Sequence, residues 1–102
     1  MGKITVKVTG ADPDKDQAIS YSESTSSTSK TFGLNNDGGG KFSAEIDCSP
    51  GTYIYAIVLY GDPGAPWTAA VTTGVITHPH SGHFSPAGYG STGDTAITVG
   101  KR

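Results

Sequence analysis

The fold of this protein is decided by the stretch SPGTYIYAIVLYG, residues 49–61. Pro50 and Gly51 precede a run rich in Tyr, Ile and Val, which is about as long as one strand through a small domain. The run is apolar at both odd and even positions, a pattern typical of a strand that is covered on both faces. We therefore expect a central, fully buried strand with two apolar faces, one made of Tyr53, Tyr55, Ile57 and Leu59 and the other of Ile54, Ala56, Val58 and Tyr60.

Strand patterns continue on both sides of this run. Residues 3–9 alternate with Ile4, Val6 and Val8 on one face, and residues 41–48 alternate in the same way. Further short strand patterns occur at residues 18–22, 31–34, 69–77 and 95–99. Residues 35–40 (NNDGGG) predict a hairpin between the strand patterns that flank them, because Asn, Asp and Gly tolerate a positive φ. About seven short strands without helical periodicity predict an all-β fold, a single-domain antiparallel β-sandwich over residues 1–102, of Greek-key or prealbumin-like type.

The overall composition excludes several classes of partner. The formal net charge is −2 and the isoelectric point is about 5.8, so no nucleic acid or anionic membrane is expected as a partner. Cys48 is the only cysteine, which excludes an intramolecular disulfide and a multi-cysteine metal site. No run approaches the roughly 18 apolar residues of a membrane helix, so we expect no membrane insertion, and we find no signal peptide in this chain. Its low charge and Ser, Thr and Gly content favour an extracellular or cell-surface location, although the compartment stays open.

One part of the chain resembles a known group of domains. Residues 40–43 (GKFS), followed by residues 49–53 (SPGTY), resemble the prealbumin-like sandwich modules of the carboxypeptidase-regulatory and collagen-adhesin B type. In those modules a G-x-F strand leads to a P-G-x-Y strand entry, and the likeness covers residues 40–60, a fifth of the chain. The resemblance implies a prealbumin-like sandwich. Some adhesin modules carry an internal cross-link from Lys to Asn or Asp, but Lys7 falls on the outward face and the last strand has no Asn.

An acidic segment near the N-terminus suggests a calcium site. Read as a calcium loop, residues 12–23 place Asp12, Asp14, Asp16 and Glu23 at positions 1, 3, 5 and 12. Gln17 stands where the sharp turn of such a loop needs Gly, and the flanking residues predict strands where helices are required. The hypothesis is therefore a smaller one, in which the three Asp side chains hold Ca²⁺ together with backbone carbonyls. The alternative is a solvated acidic turn whose Asp side chains bond to the backbone.

Every histidine of the protein lies between residues 78 and 83. His78, His80 and His83 could supply three imidazole nitrogens to Zn²⁺, Ni²⁺ or Cu²⁺, because an H-x-H pair on an extended segment shares one side. We expect residues 78–94 to be irregular, since they contain Pro and many Gly. The alternative to a transition-metal site is therefore an exposed loop.

Aromatic residues in or beside predicted loops suggest a ligand site. We expect these rings at one end of the sandwich, where rigid rings stack on the apolar faces of sugars or anchor protein partners. The candidate ligand-binding residues are Tyr60, Asp62, Trp67, Phe84 and Tyr89. The alternative for Trp67 is that it covers the core from its loop.

No catalytic motif of the sequence fits its surroundings. The segment GYGSTG, residues 88–93, has the spacing of a dinucleotide-binding loop, but a strand pattern follows it where a helix should begin. We therefore expect no enzyme.

The function that we expect is that of a lectin-like, carbohydrate-binding module, with Ca²⁺ as its one candidate cofactor. We also expect it to self-associate as a homo-oligomer. The first alternative is a structural or assembly protein, such as a surface-layer, fibre or virion subunit, that uses exposed strand edges. The second is a metal-dependent function of the histidine segment.

Overall fold

The strand that the sequence places at the centre of the fold lies at the centre of one sheet. This is seen in a computed structural model, which describes residues 2–25, 28–73 and 76–99. The described residues contain no helix long and apolar enough to cross a membrane. They form ten strands, which in chain order are β1 (Gly2–Thr9), β2 (Ala18–Glu23), β3 (Lys30–Gly33), β4 (Asn35–Gly38), β5 (Lys41–Cys48), β6 (Gly51–Tyr60), β7 (Pro66–Thr73), β8 (Ile76–His83), β9 (Tyr89–Ser91) and β10 (Thr95–Val99).

The strands form two antiparallel sheets that pack face to face as a β-sandwich. The first sheet has the order β4-β5-β1-β7-β8, and the second has the order β10-β6-β2-β3 with β9 also paired to β6. The predicted fold class is therefore confirmed, with ten strands among the described residues where about seven were expected. The additional strands come from segments that were predicted as turn or loop, because β4, β8 and β9 lie in stretches rich in Gly, Asn, His and Pro.

The predicted hairpin around residues 35–40 joins different strands from those expected. The strand before it, β3, pairs with β2 in the second sheet, whereas Asn35–Gly38 is itself a strand that pairs with β5. Only the last glycines make the reversal, since Gly38, Gly39 and Gly40 all have positive φ. The chain therefore crosses between the sheets at Leu34, whose N–H donates to the carbonyl of Gln17 at 2.8 Å.

The central strand β6 is buried on one face only, so the prediction of two-sided burial is wrong. Tyr53, Tyr55, Ile57 and Leu59 face the core, as do the predicted inward faces of β1 and β5. On the other face of β6, Ile54 and Tyr60 are exposed and the residues between them are half-buried. A two-layer sandwich has a single core between its sheets, and the described residues place no further layer behind either sheet. Each large side chain in that core contributes about 1.5–3 kcal/mol through burial.

The histidine segment is a strand and not an irregular loop. Residues 78–83 belong to β8, which pairs with β7 along its whole length. Pro79 is tolerated because β8 is an edge strand, where a missing N–H need not break a hydrogen-bond ladder. The predicted bend at Gly74 lies outside the described residues.

Candidate functional site

Two of the five predicted ligand-binding residues meet at one end of the sandwich. Tyr60, the last residue of β6, lies directly opposite Tyr89, the first residue of β9. Both side chains are exposed, at 40% and 44%, and their ring centroids are 5.8 Å apart at an interplanar angle of 64°. Asp62 is exposed in the adjoining loop, and its carboxylate forms no hydrogen bond with the described residues. We call Tyr60 and Tyr89 the tyrosine pair.

The predictions for Trp67 and Phe84 as exposed ligand-binding rings are wrong, because both are core residues. Trp67 is 5% exposed and Phe84 is 3% exposed. Their rings lie against the backbone that follows each member of the tyrosine pair. A Cβ on Gly61 would come within 2.3 Å of Phe84 Cε2, and a Cβ on Gly90 within 2.8 Å of Trp67 Nε1. The buried rings thus support the tyrosine pair from below. The alternative for Trp67 is confirmed in that its ring covers the core, but it does so from β7 and not from a loop.

Backbone hydrogen bonds hold the loops around the tyrosine pair. The N–H of Gly61 donates to the carbonyl of Gly88 at 3.0 Å, which ties the two chain segments together next to the exposed rings. Gly64 N–H donates to Phe84 O at 2.9 Å, and Phe84 N–H donates to Ala65 O at 3.0 Å. Gly88 has a φ of +79°, and a Cβ there would lie 2.6 Å from the carbonyl oxygen of Gly61, so this close approach requires glycine. The tyrosine pair is therefore presented on a rigid backbone.

The carboxylates of the predicted calcium site do not converge. Asp16 precedes β2 whereas Glu23 ends it, so the length of the strand, about 17 Å, separates them. The Asp12 carboxylate accepts a hydrogen bond from the Asp14 N–H at 2.9 Å, which is the Asx-turn bond of the alternative reading. Among the described residues, no group of three or more His, Cys, Asp or Glu side chains is arranged to hold a metal ion.

Gln17, which occupies the position where a calcium loop needs Gly, is a buried polar residue whose hydrogen bonds join separate segments at this end of the sandwich. It is almost completely buried, and its Oε1 accepts a hydrogen bond from the Tyr60 N–H at 2.6 Å. Its Nε2 lies within hydrogen-bond distance of three carbonyl oxygens, those of Asp12, Lys15 and Tyr60, at 3.1–3.2 Å. Gln17 thereby fastens the acidic turn to the strand end that carries Tyr60. The sequence offered no periodic signal for this role, because a single Gln beside a turn is usually solvated.

The three histidines are not brought together either. His78 and His80 share one face of β8, but His83 lies an odd number of residues from both and so points to the other face of the sheet. His80 Nε2 lies 2.6 Å from the hydroxyl of the buried Tyr55, and the two rings meet edge to face. Burial raises the pKa of Tyr55, so its hydroxyl stays protonated in this contact. Burial, and secondarily the charge of His78, lowers the pKa of His80 below its usual value.

The stability of the protein is expected to fall as the pH drops below about 6.5, the ordinary pKa of His. Because the pKa of His80 is lower in the folded chain, the unfolded chain binds more protons in this range, and protonation favours unfolding. Urea unfolding followed by circular dichroism at several pH values measures this slope. His80→Gln should flatten it and His78→Gln should retain most of it. An equal slope in the wild type and His80→Gln would contradict the assignment.

No family model, no curated protein and no solved structure matches this chain. The resemblance to prealbumin-like modules therefore stays a prediction based on residues 40–60. The tyrosine pair is the part of the predicted ligand site that the structure brings together on the protein surface.

Proposed function

We propose that this protein is a non-enzymatic, carbohydrate-binding module whose ligand lies against the tyrosine pair. The observation that carries the proposal is the exposed contact between Tyr60 and Tyr89 on two hydrogen-bonded strands. Tyrosine rings offer a flat apolar face and a hydroxyl at low entropic cost, which suits the alternating C–H and O–H groups of a sugar. Asp62, in the loop that begins after Tyr60, can accept hydrogen bonds from sugar hydroxyls with its carboxylate oxygens.

The alternative of a structural subunit receives less support from the geometry. The edge strand β8 has Pro79 near its middle, where a neighbouring strand would need an N–H. The edge strand β4 has four residues and a register shift, and the edge strand β3 begins with Lys30. Proline, irregular register and lysine are the features by which natural sheets resist the addition of strands. Self-association stays a prediction, and the edge strand β10, which carries none of these three features, is the described edge best suited to it.

Replacing either tyrosine of the pair by Ala is expected to weaken carbohydrate binding about tenfold. An aromatic contact of this kind contributes about 0.5–1.5 kcal/mol beyond the area that it buries. Each variant removes one ring and leaves the other without its partner. A glycan array identifies the ligand for the wild type, and titration calorimetry with that ligand measures the variants. Phe32→Ala is the matched control, because Phe32 is also an exposed aromatic residue but lies on β3. A blank array, or unchanged binding by both Tyr60→Ala and Tyr89→Ala, would contradict the proposal.

A further inference from the structure

A groove of about 290 Å³ opens at the end of the sandwich opposite the tyrosine pair. It lies where β2 and β5 end and where β3 and β6 begin, so both sheets contribute to its walls. The strand β6 runs from Tyr53 in this groove to Tyr60 in the tyrosine pair, which separates the two places by about 23 Å. No residue of the groove except Glu23 was a candidate in the sequence, because its parts come from four separate segments.

Two tyrosine rings form an aromatic corner in the groove. The ring centroids of Tyr21 and Tyr53 are 6.4 Å apart, with an interplanar angle of 57°. The hydroxyl of Tyr53 donates to the carbonyl of Ser49 at 2.7 Å, so it is already used within the protein. Tyr21 is half-buried and Tyr53 is buried. The surface that a ligand can reach is therefore mainly the ring of Tyr21, with the buried ring of Tyr53 behind it, and the face of such a ring carries partial negative charge.

The ionisable side chains of the groove also favour a positively charged ligand. Glu23 and Asp47 are exposed carboxylates of its wall, and neither forms an ion pair with any described residue. Lys30 contributes one positive charge, which leaves the lining with a net charge of −1 at neutral pH. Burial raises the pKa of Cys48 and of Tyr53, and the negative charges of Asp47 and Glu23 raise them further. Burial, the larger cause of both shifts, disfavours a charge of either sign, and the smaller effect of Asp47 and Glu23 adds a cost for negative charge in particular.

We propose that this groove binds a compact organic cation of the quaternary ammonium class, held by the ring of Tyr21, which Tyr53 supports from the core, and by the carboxylates of Glu23 and Asp47. Such cations combine an apolar surface with a diffuse charge, which suits aromatic rings backed by carboxylates. A metal ion fits less well, because the described residues hold no cluster of three metal-binding side chains. An anion would meet the two unpaired carboxylates. The groove lies at the other end of the domain from the tyrosine pair, so this inference does not depend on carbohydrate binding.

Choline and its neutral isostere 3,3-dimethyl-1-butanol provide the test. The two molecules have the same shape, but only choline carries a charge. Amide resonances of the isotopically labelled protein, followed during titration to roughly 50 mM, should shift with choline at Ser22, Glu23, Asp47 and Cys48. The neutral isostere should bind at least about fivefold more weakly, because it lacks the cation–π and charge attraction. Absence of shifts with choline, or equal affinity for the two molecules, would overturn the proposal.

Variants separate the contribution of the groove from a general charge effect. Glu23→Gln should weaken choline binding about fivefold, whereas Asp37→Asn, which removes an exposed carboxylate of β4 outside the groove, should leave it within about twofold. Tyr21→Phe should retain binding and Tyr21→Leu should abolish most of it, since only the ring is used. The amide spectrum of each variant reports folding in the same experiment. Equal affinity for Glu23→Gln and Asp37→Asn would overturn the assignment to this groove.

Discussion

Replacing Gln17 by Glu is expected to lower the free energy of unfolding by about 3–5 kcal/mol at neutral pH. The substitution hardly changes the shape of the side chain. It exchanges an amide nitrogen, which lies 3.1–3.2 Å from three carbonyl oxygens, for an oxygen that repels them. It also places a carboxylate in a site from which water is excluded. No described residue supplies a positive charge there to compensate it.

Thermal or urea unfolding followed by circular dichroism measures this loss, and pH gives it a signature. Burial should raise the pKa of the introduced Glu above its unfolded value, so the folded variant binds more protons and its deficit shrinks as the pH falls toward about 4. Asn36→Asp is the matched control, because it makes the same amide-to-acid change at an exposed residue, whose Nδ2 donates to Pro13 O at 2.8 Å. It should cost about 1 kcal/mol or less. Equal losses of unfolding free energy in the two variants would contradict the role of Gln17 as a buried hydrogen-bonding residue.

Replacing Gly61 by Ala should cost about 3 kcal/mol, the second large effect that we expect. A Cβ at this position would lie 2.3, 2.5 and 2.9 Å from three atoms of the Phe84 ring, so a core residue would have to move. The φ of Gly61 is not positive, so the loss would come from overlap and not from backbone strain. Because Gly61 adjoins Tyr60, the same change should also reduce carbohydrate binding.

The control for this substitution is Gly33→Ala. Gly33 lies on the edge strand β3, has no positive φ, and has no atom within 4 Å of an added Cβ. Its replacement should leave stability within about 0.5 kcal/mol of the wild type. In a double-mutant cycle, Phe84→Leu should reduce the cost of Gly61→Ala, because a smaller side chain relieves the overlap. Additive losses in that cycle would contradict a direct contact.

Local patterns in the sequence were sufficient for the alternating strands β1 and β5 and their inward faces, but not for β4, β8 and β9. The alternation at Ile4, Val6 and Val8 identified the buried face of β1, because each strand residue points to the opposite side from its neighbour. Pairing between strands was not accessible in this way, since the partner of a strand lies elsewhere in the chain. The hairpin assigned to residues 31–48 illustrates this, because β3 turned out to belong to the other sheet.

The candidate site was predictable in part for the same reason. Tyr60 and Tyr89 were identified as loop aromatics, but only the pairing of β6 with β9 places them side by side. Gly and Pro surround Trp67 and Phe84, which predicts exposed loop positions for both, with a core position as the alternative for Trp67. The structure shows why they are buried, since Gly61, Gly82 and Gly90 leave room for the rings beneath the backbone. Glycines next to an aromatic residue can therefore indicate a space for a ring as well as a turn.

Trp67 gives the protein an internal optical probe. It is the only tryptophan of the chain, and its ring packs beneath Gly82 of β8 and Gly90 of β9, which belong to different sheets. Its buried indole N–H has no hydrogen-bond acceptor among the residues that the structure describes. Indole emission moves to longer wavelength when water reaches the ring, so separation of the two sheets will be visible in the fluorescence of the unlabelled protein.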